Sequence, residues 1–307
     1  MIDSSRGYYR GIFFMFAMML VSCANDVIVK FMGQRLDTLQ VLFCRFFFSL
    51  LTLLPFVVAK GTQVFRTKQI GFNIARGILG ATSFFLYIYS VMTLPLVEVV
   101  TILWTIPLFA IILSTLLLNE IVSPMQLLAT LAGFFGLSAI TLYDSNSTFS
   151  LKLAYLAPIA SSLLFALQDV MIKRIVNRES RTTMLLYFAL VTSGLTLVPA
   201  LMVWVPLTSR ECCLLFILGI GGNAIQYLIF KAFCATSLSA LAPFRYLEFL
   251  FSAFFAFLFF GEIPGVNVFL GAAILVPCTL YLATNEREKG NSNEKNTLRH
   301  HLKRSKG

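Results

Sequence analysis

The apolar residues of this chain are gathered into ten stretches, each long enough to cross a lipid bilayer. A membrane span needs about 20 mostly apolar residues. The stretches run 10–32, 38–59, 70–92, 95–118, 123–143, 151–173, 182–204, 210–233, 237–260 and 264–284. Lipid offers no hydrogen bonds to a backbone, so stretches of this length and number predict an all-α integral membrane protein with ten transmembrane helices. Composition agrees. Charged residues make up 12% of the chain and the mean hydropathy is +0.83, where a soluble domain carries about 25% charged residues. The breaks are short and hold turn or breaker residues, among them Gly33 to Asp37, Pro95, Asn119 to Pro124 and Gly261 to Pro264. Arg6 and Arg10 precede a first stretch too long for a cleavable signal, so it reads as a retained helix.

Loop charges orient the spans. With the N-terminus inside, 18 of the 24 Lys and Arg residues fall in inside segments and four, Lys30, Arg35, Lys152 and Arg210, fall outside. Cytoplasmic loops carry such an excess, so both termini are expected in the cytoplasm. The basic tail from about residue 287 to 307 explains the net charge of +10 without a nucleic-acid partner; juxtamembrane basic clusters are ordinary.

One polar pattern occurs twice. Asp26-Val27-Ile28-Val29-Lys30 returns as Asp169-Val170-Met171-Ile172-Lys173, 143 positions later. The ending Asn119-Glu120 returns as Gly261-Glu262, at an offset of 142. A duplicated half follows, with repeats at 8–145 and 150–286. Five spans per half is an odd number, so the second half enters the membrane from the opposite side. Inverted five-helix repeats of this kind are the frame of alternating-access carriers.

At this point the chain resembles the drug/metabolite transporter superfamily, in its ten-span group with two EamA-type repeats. The resemblance rests on the span count, the duplication, the repeat endings and Ala75-Arg76-Gly77-Ile78-Leu79 at the start of the third span. A closer resemblance is to the S-adenosylmethionine carriers of obligate intracellular bacteria. It is carried by Ser22-Cys23-Ala24-Asn25-Asp26-Val27 with Lys30, by Arg45-Phe46-Phe47-Phe48-Ser49 and by Leu53-Leu54-Pro55-Phe56. The resemblance implies an inner-membrane secondary transporter that takes in S-adenosylmethionine and returns S-adenosylhomocysteine. Related carriers of amino acids or riboflavin share much of the same frame.

Ionisable residues far from the membrane faces are costly, at about 2.5–3.5 kcal/mol each on insertion scales, and are site candidates for that reason. Glu98, Thr101 and Thr105 share one helical face beside Trp104, and the ninth span carries Arg245, Tyr246 and Glu248. On the carrier reading, Glu98 and Glu248 would meet the ammonium or sulfonium of the ligand and Arg245 its carboxylate. Trp104, Tyr227 or Tyr246 would stack on a ring or contact the cation. Asn223 and Gln226 would read polar edges. The plainer alternative is a structural Arg245–Glu248 ion pair with Glu98 at an outer interface. Asp26 with Lys30, and Asp169 with Lys173, stand at i, i+4 and suit intrahelical salt bridges, read either as paired structural charges or as alternating gates. Arg76 reads as an inside anchor.

Other chemistries find no support in the sequence. The only histidines, His300 and His301, lie in the tail, and no Ser–His pair, phosphate-binding loop or metal-ligand spacing is present, so neither enzyme activity nor a cofactor or metal is expected. The six cysteines lie in or beside apolar stretches and read as small buried hydrophobes. Ala129/Gly133 and Ala132/Gly136 in the fifth span suit close helix packing or a homodimer contact.

Overall fold

The computed structural model describes residues 4–33, 35–93, 102–144, 155–260 and 277; among them there is no strand. Helices α1 (Ser4–Met32), α2 (Thr38–Lys60), α3 (Ile70–Thr93), α4 (Ile106–Leu118), α5 (Pro124–Asp144), α6 (Leu156–Ile175), α7 (Arg181–Met202) and α8 (Ser209–Ala235) follow in order. A 3-10 turn, Gly61–Phe65, extends α2. The opening of the fourth predicted span and nearly all of the tenth lie outside the described residues.

The ninth predicted span is not one helix. It is a short helix α9 (Leu238–Leu241), a 3-10 segment (Ala242–Leu247) and then α10 (Glu248–Phe260). Pro243 near the start of the 3-10 segment has no N–H to give to a continuing α-helical ladder. The fourth span also departs from regular helix, with a turn at Trp104 and Thr105 before α4 begins at Ile106.

Local signals fix the other ends. The Asp37 side chain accepts from Leu39 N at 2.8 Å and starts α2. Thr208 and Glu211 form a reciprocal capping box at the start of α8. Asn119 takes a left-handed conformation, φ 54°, and ends α4.

Among the described residues, six segments are long and apolar enough to cross a bilayer: Gly7–Val29, Thr38–Phe65, Leu156–Ile175, Arg181–Met202, Ser209–Ala235 and Leu238–Phe259. Large apolar side chains are exposed along these helices, including Phe13, Leu54, Phe56, Leu195, Val198 and Phe257. Water tolerates no such surface and lipid does. The chain is a multi-pass membrane protein.

Packing runs mostly between the first and second halves of the chain. Helix α1 packs on α8 and α10, α2 on α7 and α8, α3 on α6 and α7, and α4 on α6. A shared core joins Met15 and Met19 of α1, Ile172 of α6, Met184 of α7, Phe230 and Phe233 of α8 and Leu238 of α9. Two glycines permit close approaches between the halves. A Cβ at Gly77 of α3 would lie 2.6 Å from Val191 Cβ of α7, and one at Gly219 of α8 would lie 2.7 Å from Ser49 N of α2.

The cysteines divide. Cys23 and Cys44 are buried as expected, whereas Cys212 and Cys213 are exposed. The first turns of α8 turn their side chains outward there, away from the core that Leu215 and Leu218 enter. Cys278 lies outside the described residues.

The Gly219 contact meets backbone, which cannot yield as a side chain can. Gly219→Val should therefore destabilise the protein by roughly 1–3 kcal/mol, the cost of overpacking a close interface. Gly71→Ala, where nothing lies within 4 Å of an added Cβ, should stay near wild type. Unfolding of the two variants in a detergent titration measures the difference.

Candidate functional site

Helix α1 delivers a run of functional side chains to the middle of the bundle. Asn25 is buried, and its Nδ2 donates to Leu218 O of α8 at 3.4 Å. Asp26 is exposed although Asn25 and Val27 on either side are buried. Its neighbours nevertheless come from within the bundle: Glu248 at the head of α10 and Arg45 of α2. Asp26 thus lines a water-accessible cleft rather than the outer surface.

The irregular ninth span brings Glu248 to the same place. Ser22 hydrogen-bonds its side chain, and Cys23 Sγ donates to its backbone carbonyl at 3.7 Å. The Cys23 sulfur and one carboxylate oxygen each from Asp26 and Glu248 lie within 4.8 Å of one another. No metal-ligand spacing was visible in the sequence, because Glu248 arrives from more than 200 residues away. Arg45 lies over the Phe84 ring, 5.5 Å from its centroid, and among the described residues it makes no ion pair within 4 Å. Tyr87 of α3 is within electrostatic reach of Asp26, Arg45 and Glu248. Two carboxylates and one guanidinium therefore share this cleft.

A second charged pair stands beside it. Arg245 Nη1 donates to Asp169 Oδ2 in a close ion pair, with Asp169 buried. This corrects two expectations. Asp169 does not bridge to Lys173, and the Arg245 guanidinium is held by Asp169 rather than by Glu248. The reason is the 3-10 segment, which turns Arg245 inward onto α6. Lys173 Nζ instead donates to Phe233 O at 2.5 Å and to Thr236 O. Those carbonyls end α8, where a helix leaves acceptors unpaired and favours a cation. The side chain of Lys30, and all of Glu98, lie outside what the structure describes.

Glu120, which entered the sequence reading only as a repeat ending, has a specific place. Its carboxylate accepts from Leu238 N at 3.1 Å and Ser239 N at 3.0 Å, capping the start of α9. An acidic side chain just after an apolar span was the available signal; its distant partner was not. Arg76 is corrected as well. It is fully buried rather than anchored at a headgroup, donates to Met184 O at 2.5 Å and to Gln226 Oε1 at 3.4 Å, and lies over the Phe188 ring at 4.5 Å.

The remaining expected site residues fall into separate groups. Tyr246 is buried and its hydroxyl donates to Trp104 O at 3.1 Å, joining the two irregular spans. Thr105 Oγ1 donates to Ile102 O at 2.6 Å. Asn223 accepts from Ser49 Oγ at 2.7 Å and donates to Thr52 Oγ1 at 2.8 Å. Tyr227 has Lys231 5.4 Å and Arg181 5.9 Å from its ring centroid. Asn223 and Tyr227 line a cavity of about 880 Å³ between α2, α7 and α8, beside Lys60 and Arg181. Of the expected residues that the structure describes, Glu248 and Asp26 meet in the charged cleft, and Cys23, Arg45 and Tyr87 join them.

The EamA-like transporter family model matches this chain twice, over residues 9–142 and 152–284. The chain belongs to the EamA-like transporter family. It is therefore a carrier and not an enzyme. This family member is 35% identical over 295 residues to the S-adenosylmethionine uptake transporter of Rickettsia prowazekii, covering 95% of this chain and 98% of that protein. It is 37% identical over 291 residues to the same-named protein of Rickettsia bellii, covering 94% and 98%. The riboflavin transporter of Brucella anthropi is 27% identical over 277 residues, covering 84% and 93%. A solved crystal structure superimposes with a TM-score of 0.77 at 18% identity, over 93% of this chain and 98% of the other, which establishes the shared fold.

Removing one partner of a buried ion pair strands the other. Arg245→Met should cost about 3–5 kcal/mol, and adding Asp169→Asn to it should recover most of that loss. A double-mutant cycle on detergent-solubilised protein checks the coupling; additive losses would mean the two residues act apart.

Proposed function

We propose that the chain carries S-adenosylmethionine across the bacterial inner membrane by alternating access, in exchange for S-adenosylhomocysteine, with both termini in the cytoplasm. The observation that carries this reading is the 35–37% identity, over about 95% of the chain, to proteins named S-adenosylmethionine uptake transporters. The charged cleft supports it independently. The ligand bears an ammonium, a sulfonium and a carboxylate. Asp26 and Glu248 answer the two cations, and Arg45 answers the carboxylate through a fork suited to it. Tyr87 and Phe84 offer aromatic faces. Riboflavin is the second reading, on the strength of the more distant relatives. Its neutral ring system gives two carboxylates nothing to bind. A simple amino acid has one cation and would need one carboxylate.

The frame of this reading is a pair of inverted repeats, 8–145 and 150–286, followed by a basic tail. The helix contacts support it. Exchanging the halves turns α1–α8 into α6–α3, α2–α8 into α7–α3 and α4–α6 into the ninth span against α1, and every one of these contacts is present. Single residues obey the same exchange. Gly77 meets Val191, and Gly219 meets Phe48; Gly80 meets Gln168 and Phe188, while Gly221 and Gly222 meet Asn25 and Arg45. Gly77 and Gly219, and Gly80 and Gly222, are offset by 142, and the partners Val191 and Phe48, Gln168 and Asn25, and Phe188 and Arg45 by 143, while Gly221 precedes the counterpart of Gly80 by one residue.

Gating fits the ends of the path. Lys173 on the carbonyls that end α8, with Glu120 on the N–H groups that start α9, holds the inner end together. Asp169 stands one turn from Lys173 in the ion pair with Arg245. Lys30 and Asp26 are the repeat counterparts toward the outer face, where Asp26 is open to water. Ala129 is buried within the bundle, so its part of the small-residue stripe serves packing inside the chain rather than a homodimer contact.

Expressed in a bacterium unable to take up S-adenosylmethionine, the chain should import the labelled compound. Excess external S-adenosylhomocysteine should compete and riboflavin should not. Glu248→Gln and Arg45→Met should each lower uptake about tenfold or more while the protein stays in the membrane, as the loss of one charged hydrogen bond predicts. Competition by riboflavin alone would overturn the substrate assignment.

A further inference from the structure

The cleft can be read as a charge balance. Asp26 and Glu248 bring carboxylate oxygens within 4.8 Å of each other. Among the described side chains, the other groups facing Asp26 are Cys23, Arg45 and Tyr87. Those facing Glu248 are Ser22, Cys23 and Arg245, and Arg245 is already committed to Asp169. Among the described side chains, Asp26 thus faces Arg45 and Glu248 faces an Arg245 already paired with Asp169, so that three carboxylates share two guanidiniums. Two like charges this close are relieved when they share a proton. A net charge is also costly to carry through a membrane interior.

Resting on the transport reading above, we infer that the Asp26–Glu248 pair holds one proton whenever the bound ligand lacks a sulfonium, and that one exchange moves S-adenosylmethionine inward and S-adenosylhomocysteine plus one proton outward. The charges balance at each step. With S-adenosylhomocysteine, a zwitterion, the singly protonated pair and Arg45 sum to zero, and so does the complex. S-adenosylmethionine brings one further positive charge; the pair releases its proton to the outer medium as it binds, and the complex is again neutral. At the inner side S-adenosylmethionine leaves, and the pair takes a proton from the cytoplasm as S-adenosylhomocysteine binds. No ion pair elsewhere has to open, since Asp169 and Arg245 stay matched throughout. The fixed sulfonium charge of one ligand is thereby exchanged for a mobile proton accompanying the other.

The wild-type protein in weakly buffered liposomes loaded with S-adenosylhomocysteine provides the test. Labelled S-adenosylmethionine is added outside, and uptake is read together with external pH. One proton should appear outside for each S-adenosylmethionine taken up, and the final accumulation ratio should not respond to a potassium diffusion potential. A single uncompensated charge would change that ratio about fiftyfold for about 100 mV. Uptake without acidification, or a fiftyfold response to the potential, would overturn the inference and leave the substrate assignment standing. Absence of any uptake would overturn both. Glu248→Gln and Asp26→Asn should lose proton release from whatever exchange they retain, and Asp26→Glu should keep it; unchanged release in the two amide variants would move the proton to another group and overturn the assignment.

Discussion

A bilayer interior offers no partner to a polar group, so each one in this chain has to find its partner within the chain. That requirement organises the structure more than any apolar contact does. Arg76, wholly buried, gives Nη1 to Gln226 and Nη2 to a backbone carbonyl and lays its face on Phe188, while its Nε stays without a hydrogen-bond partner among the described residues. Asp169 is matched by Arg245. At the start of the ninth span Glu120 satisfies the N–H groups that open α9. Lys173 does the same for carbonyls at the end of α8. At the Asp26–Glu248 pair the charges are not fully matched inside the protein, and Asp26 is exposed.

The broken span explains why charge and cleft coincide. An unbroken helix through 237–260 would keep Arg245 and Glu248 less than one turn apart on neighbouring faces. The 3-10 segment separates their duties, with Arg245 turned to α6 and Glu248 to α1. Discontinuous helices at mid-membrane serve carriers in this way, since irregular backbone is tolerated there only beside protein or water. Trp104 and Tyr246 tie the two irregular stretches together through one hydrogen bond.

The helical frame was legible in the sequence because it depends on local properties. Apolar length sets a span, and Asp37, Asn119 and Thr208 mark ends that need no distant partner. The duplicated Asp-x-x-x-Lys was equally visible, and so was the doubling of Asn25 as Gln168. Pairing was not. Spacing of four residues put Asp169 beside Lys173, yet a flexible lysine serves better at the unpaired carbonyls of α8, and a guanidinium 76 residues away holds the carboxylate. Cys23, Arg45 and Tyr87 were missed as a group for the same reason: three helices contribute one residue each. Arg76 read as a surface anchor because its carbonyl and aromatic partners lie on α7 and α8.

The interleaving of the two halves bears on how such a protein is made. Helices α1, α2, α3 and α4 each find a principal packing partner among the helices of the second half. A ribosome that has delivered the first five spans has delivered surfaces whose complements do not yet exist. Asn25, Arg76 and Gly77 must wait in lipid or beside the insertion machinery until α7 and α8 arrive. Folding of this chain is accordingly closer to the association of two subunits than to the successive closing of neighbours, and its polar interior is completed late, at about the time its last helices enter the membrane.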